Sequence, residues 1–97
     1  MILSFADEET RDIFDGTRSR KAIRRLAPLL WHIAQRKMHM VQAAARLDDL
    51  RVPPANRLEA LKDDLKGLHS IRINDQYRIV FRWIDQNAEE VKIVDYH

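Results

Sequence analysis

Two adjacent prolines, Pro53-Pro54, separate two unlike periodicities in this chain. Proline has no backbone N–H and its ring clashes with the preceding turn, so no helix runs through the pair. Before it, Leu30, Ile33, Ala34, Met40, Val41, Ala44 and Leu47 recur near the 3.6-residue spacing of one helix face, and Leu26 and Leu29 extend that stripe backwards. After it, apolar and polar residues alternate. Ile71 and Ile73 stand against Ser70 and Arg72; Tyr77, Ile79, Phe81 and Trp83 stand against Arg78, Val80 and Arg82. That is the spacing of half-buried strands. A helical part followed by a run of strands predicts an α+β fold, with helices packed on one face of a mostly antiparallel sheet.

Local signals refine this outline. Residues 2–6 read as a short first strand and residues 8–14 as a short helix, with Asp7 as N-cap and Gly16 as terminator. Residues 17–27 read as a loop or frayed helix. Pro28 suits the first position of the next helix, which runs to about residue 45, with any continuation to Leu50 broken. Residues 58–61 suggest a brief strand and residues 63–67 a turn. Residues 69–73 and 77–83 form a hairpin about Asn74-Asp75. Residues 85–90 are expected to turn and residues 91–95 to form the last strand.

The length of 97 residues predicts one domain, spanning residues 1–97. A chain of this size buries roughly 60–70% of its unfolded surface. That leaves little room for an internal substrate cavity, so the expected site is a shallow groove and the expected substrate a macromolecule. The absence of cysteine excludes disulfides, thiolate metal sites and a cysteine nucleophile. No apolar run approaches the roughly 20 residues that span a bilayer. Asp7, Glu8 and Glu9 follow the first apolar residues at once, unlike a signal peptide. A cytoplasmic location is the expectation, with no membrane partner.

The net charge of +2 hides an uneven distribution. Arg11, Arg18, Arg20, Lys21, Arg24, Arg25, Arg36, Lys37, Arg46 and Arg51 face only Asp12, Asp15, Asp48 and Asp49 over residues 11–51. Such a cluster can hold nucleic-acid phosphates. It can equally be a solvated face, or meet an acidic protein partner.

Glycine-rich phosphate loops and the common hydrolase motifs are absent. Of the four histidines, His32 and His39 lie two helical turns apart, too far to share a metal ion, and no metal site or cofactor is expected. The segment Asp95-Tyr96-His97 puts an acid, a phenol and an imidazole at the end of a strand. Imidazole titrates near pH 6.5, so it can act as acid or base at neutral pH. Arg72, Arg78 and Arg82 lie on the polar side of the hairpin, where guanidinium forks suit phosphate oxygens. The alternative is sheet charge paired with Asp75, Asp85 or Glu90. Lys62 and Lys66 either join that face or solvate a turn.

These residues carry a resemblance. Asn56-Arg57-Leu58-Glu59-Ala60-Leu61-Lys62, His69-Ser70-Ile71-Arg72-Ile73-Asn74-Asp75-Gln76-Tyr77-Arg78-Ile79 and Ile93-Val94-Asp95-Tyr96-His97 together resemble the HigB-like toxins of the RelE toxin family. The likeness takes in residues 48–54 and 1–5 as well, and is weakest over residues 16–28. It implies a microbial-ribonuclease-like α+β fold and cleavage of mRNA in the ribosomal A site. It implies a HigA-like helix-turn-helix antitoxin as partner, through which alone operator DNA would be bound. It implies catalytic contributions from Asp95, Tyr96 and His97, with Lys62 and Arg78 lining the site. Many relatives carry histidine in a "HPLKG" pattern where this chain has Glu59-Ala60-Leu61-Lys62-Asp63, so Glu59 stands in the place of a common histidine.

A metal-independent ribonuclease uses the RNA 2′-OH as nucleophile, assisted by a base, an acid and phosphate-binding cations. The resemblance assigns acid/base work to His97, with Glu59 as second candidate. Lys62 and Arg78 would hold the scissile phosphate, with Arg72 a weaker candidate. Tyr96 would stack on or orient a nucleotide, and Asp95 would position His97 or a substrate hydroxyl. Arg18, Arg20, Lys21, Arg24, Arg25, Arg36 and Lys37 would dock on ribosomal RNA. Two rivals share the fold: a ParE-like toxin that inhibits gyrase by binding alone, and an inactive member kept as operon corepressor.

Overall fold

The computed structural model describes residues 1–95. Three α-helices precede the sheet: α1 (Glu8–Asp15), α2 (Arg20–Arg25) and α3 (Trp31–Ala43). Four strands follow among the described residues: β1 (Glu59–Ala60), β2 (Leu68–Arg72), β3 (Tyr77–Ile84) and β4 (Asn87–Asp95). They pair antiparallel in the order β1-β2-β3-β4. The expected first strand appears only as two parallel bridges from Ile2 and Phe5 to the free edge of β4. Main-chain bonds between Leu3 and Ala88 and between Ala6 and Val91 hold it there. The α+β expectation is met.

The start of α1 follows its sequence signals. The Thr10 amide donates to Asp7 Oδ1 at 2.8 Å, and Gly16 adopts φ 78°, a left-handed conformation that costs glycine little. Thr10 then anchors the helix to the sheet, because the Ile93 amide donates to its Oγ1 at 3.1 Å. Arg25 of α2 donates to Asp7 Oδ2, Glu9 Oε2 and the Ile93 carbonyl, each at 2.8 Å. One guanidinium thus ties α1, α2 and β4 together. Residues 20–25 are ordered rather than frayed because Ser19 Oγ caps the Ala22 amide and itself donates to Asp12.

Burial pushes the Asp7 carboxyl up. Thr10's hydrogen bonds and the Arg25 charge outweigh it and hold the pKa below the ordinary value of 3.8. A depressed carboxylate stabilises the fold fully above its unfolded pKa and loses that contribution as pH falls through the folded value. Asp7→Ala removes cap and ion pair together. It should lower stability by about 2 kcal/mol at neutral pH, and Asp7→Asn, which can still cap, by less. Equal urea midpoints for the two variants would contradict this account.

The core lies between the helices and one face of the sheet. Ile13, Leu26, Met38, Val41, Ile71, Ile79, Phe81, Val91 and Ile93 are fully buried. On α3 the buried apolar stripe is Trp31, Ala34, Met38 and Val41; Ile33 and Met40 of the expected stripe are only half-buried. That rotation corrects one expectation outright. Lys37, read as an exposed docking residue, lies on the shoulder of the stripe and is 7% exposed. Its ammonium donates to Asn56 Oδ1 at 2.5 Å, inside the fold.

The last hairpin also departs from expectation. The turn is only Asp85-Gln86, both left-handed (φ 51° and 65°), and β4 begins at Asn87. Two successive positive φ values match the right-handed strand twist. Asn-Gly is the usual signal for such a turn, and Asp-Gln does not announce it. A bulge on β4 opposite Phe81, with Glu90 at φ 56°, then shifts the alternation so that Ala88, Val91 and Ile93 all face the core. No helix of the described residues is long and apolar enough to cross a membrane.

Candidate functional site

The sheet face turned away from the core gathers the charged residues of the conspicuous motifs. Strand register decides this. Ile71 pairs with Ile79 and Ile79 with Ile93 on the core side. Arg72 pairs with Arg78, Arg78 with Val94, Ser70 with Val80, and Glu59 of β1 with Ser70, all on the outer side.

Arg78 and Glu59 meet there. Arg78 Nη1 donates to Glu59 Oε1 at 3.4 Å, and Nη2 donates to the Arg57 carbonyl at 2.6 Å. The second bond is short and charge-assisted, and it fixes the guanidinium to the left-handed residue (φ 47°) that leads into β1. The first is long. Arg78 is 6% exposed, whereas half of the Glu59 side chain faces solvent. An anchored cation thus stands beside a solvent-reachable carboxylate.

The other hairpin arginines are paired locally. Arg72 is bridged to Asp75, and Arg82 Nε donates to Glu90 Oε2 at 2.8 Å. Lys62 is exposed at the end of the β1 segment and makes no ion pair among the described residues. His69 of β2 points the other way. Its ring stacks on Phe81 with centroids 6.2 Å apart, and burial pushes its pKa below 6.5.

Asp95 is not brought to Arg78. It pairs with Tyr77, so its side chain belongs to the opposite face, and Oδ2 accepts from Gln76 Nε2 at 3.0 Å. There it lines a cleft of about 420 Å³ with Arg24, Arg25, Tyr77, Lys92, Ile93 and Val94. Tyr96 and His97 lie outside the described residues. Among the described residues no three His, Asp or Glu side chains are grouped so as to hold a metal ion.

The proposed docking residues divide. Arg20, Arg24 and Arg36 are exposed and make no ion pair among the described residues. Arg18 is exposed, with its guanidinium 5.9 Å from the centre of the Trp31 ring. Lys21 pairs with Glu8 on the surface. Arg25 is held by Asp7 and Glu9, and Lys37 is buried. Sequence reasoning gave no role to Asn56, Ser70 or Lys92. Ser70 could have been noticed as the one small hydroxyl on the arginine-bearing side of the hairpin.

Known proteins resemble this chain in sequence and in fold. The sequence model of the HigB-like toxins, described as RelE-like toxins of type II toxin–antitoxin systems, matches residues 3–97. Toxin HigB-1 of Vibrio cholerae is 36% identical over 85 residues, spanning 88% of this chain and 86% of that protein. An uncharacterised protein of Haemophilus influenzae is 41% identical over 54 residues, 56% of this chain and 54% of its own length. Among solved structures, a chain of the YoeB–YefM complex from Staphylococcus aureus has the same fold, with a TM-score of 0.64 at 18% identity, covering 100% of this chain and 95% of that one. The chain belongs to the HigB-like toxins, RelE-like toxins of type II toxin–antitoxin systems.

Proposed function

We propose that this toxin is a ribosome-dependent endoribonuclease that cuts mRNA in the A site and thereby stops translation. The observation that carries the reading is the contact between Glu59 and Arg78 on the outer sheet face. A carboxylate able to take a proton lies against a guanidinium able to hold a phosphate, and Lys62 lies close by in sequence. In the reaction, Glu59 removes the 2′-OH proton and the 2′-oxygen attacks the adjacent phosphorus. Arg78 and Lys62 stabilise the added charge on the phosphoryl oxygens. The 5′-oxygen then leaves with a proton supplied by His97, giving a 2′,3′-cyclic phosphate and a 5′-hydroxyl. Tyr96 would orient the nucleotide and Asp95 the imidazole. Arg18, Arg20, Arg24 and Arg36 supply exposed charge for ribosomal RNA. The partner is a HigA-like helix-turn-helix antitoxin, the compartment is the cytoplasm, and residues 1–97 act as one toxin domain.

The test is primer extension on mRNA bound to programmed ribosomes. The wild type should cut within codons in the A site, and Glu59→Gln and deletion of His97 should each slow cutting by about 10²-fold or more. Normal cutting without His97 would refute its role as acid. Intact mRNA with early loss of DNA synthesis would instead indicate gyrase inhibition. Absence of growth arrest on expression without antitoxin would indicate a corepressor.

A further inference from the structure

Ser70 is fully buried, and its hydroxyl has no hydrogen-bond partner among the described residues. A buried hydroxyl left without a partner is destabilising, and most folds avoid it. Its position gives the hydroxyl a use. Ser70 lies on the outer side of β2, directly across from Glu59 in β1 and from Val80 in β3. Facing residues of an antiparallel pair keep their Cβ atoms about 5 Å apart, so a glutamate side chain can fold back onto a serine hydroxyl there. Glu59 does not do so in the free protein, because its Oε1 is turned to Arg78. That contact, at 3.4 Å, is longer and weaker than the bond from the same guanidinium to the Arg57 carbonyl at 2.6 Å.

We propose that Ser70 is a positioning residue whose hydroxyl receives the Glu59 carboxylate when an RNA phosphate takes its place on Arg78. The inference rests on the reading of Glu59 as general base. A phosphate approaching Arg78 competes with Glu59 for the same Nη1 and repels the carboxylate. The carboxylate needs another donor nearby, and Ser70 supplies one at the register position opposite. The bond does two things. It fixes one carboxylate oxygen and so aims the other at the ribose. It also favours the charged carboxylate, which must stand beside a polyanion. The hydroxyl is itself too deep to touch RNA, so it acts only through Glu59.

The test compares Ser70→Ala and Ser70→Thr with the wild type. Ser70→Ala removes an unsatisfied group, so the free protein should melt at the same temperature or higher. Cleavage on programmed ribosomes should fall by about 10-fold near neutral pH, with the acid limb of its pH profile moved up by about one unit, the shift equivalent to one tenfold change. Ser70→Thr keeps the hydroxyl and should restore the wild-type limb. A second readout needs no turnover. With a 2′-O-methyl RNA oligonucleotide bound, the Glu59 carboxyl carbon should titrate at higher pH in Ser70→Ala than in the wild type, and at the same pH when the RNA is omitted. Coincident pH profiles and coincident titrations would overturn the proposal. If Glu59→Gln cuts at the wild-type rate, the general-base reading fails and the proposal with it. If Glu59→Gln is inactive while Ser70→Ala keeps the wild-type profile, only the proposal about Ser70 fails.

Discussion

Arg78→Ala is expected to lower ribosome-dependent cleavage by about 10²- to 10³-fold, the range seen when one donor to a developing negative charge is removed. The effect should be large because the guanidinium is placed before any substrate arrives. Its Nη2 is bound to the Arg57 carbonyl at 2.6 Å, which holds the cation at the mouth of β1. A phosphate would replace Glu59 on Nη1, the longer of these two contacts at 3.4 Å. Arg78→Lys separates charge from geometry. Lysine keeps the charge but has one nitrogen, so it cannot hold the Arg57 carbonyl and a phosphate in the same fork. Its cleavage should stay about 10²-fold below wild type. Alanine also leaves the Arg57 carbonyl without its donor, so melting temperatures must be measured beside rates. Cleavage within about threefold of wild type in a folded Arg78→Ala protein would remove Arg78 from the phosphate site.

The pairing of Glu59 with Arg78 shows where the sequence stops being readable. Each residue was picked out alone: Glu59 for standing where a histidine is common, Arg78 for its place in the hairpin. Their meeting depends on the register of β1 on β2 and β2 on β3, across 19 positions, and no local pattern fixes it. Features set by neighbouring residues were legible. The ends of α1 follow Asp7 and Gly16, and the faces of β2 and β3 follow strict alternation. Alternation failed on β4, because the bulge at Glu90 inserts one residue and shifts the period. Asp95 lies across from Tyr77, so register puts its side chain on the face opposite Arg78. The basic half of the chain looked uniform, yet Arg25 holds three elements together, Lys37 is buried and Arg24 faces a cleft. Charge counts carry no information about which cations the fold uses internally.

Lys37 leads to the second large expectation: Asn56→Ala should destabilise the protein by about 3 kcal/mol or more, a large part of the roughly 5–15 kcal/mol that holds a domain together. Asn56 is fully buried. Its Oδ1 accepts from the Lys37 ammonium, and its Nδ2 donates to the Leu50 carbonyl at 3.1 Å. It therefore fastens α3 to the segment around Pro53-Pro54. Alanine would leave a largely buried ammonium without its acceptor among the described residues, and the Leu50 carbonyl without this donor. Lys37→Met should cost much less, because it removes the charge along with its need for a partner and leaves only the Asn56 oxygen unsatisfied. The double variant should cost less than the sum of the two singles. The pH dependence carries the same logic. Burial, then the charges of Arg36 and Arg72, hold the Lys37 pKa below its ordinary value of 10.5. Between the folded value and 10.5 the unfolded chain binds more protons, so this lysine's contribution to stability rises with pH there, and its full cost is present below that window. Losing Asn56 removes the acceptor that favours the charged form among the described residues, so the window should widen downward and the deficit of Asn56→Ala should shrink as pH is raised through it. Urea unfolding of the three variants at neutral and alkaline pH measures all of this. If Asn56→Ala costs no more than Lys37→Met at neutral pH, the ammonium does not depend on Asn56 and the buried pair is not what fastens α3 to the loop.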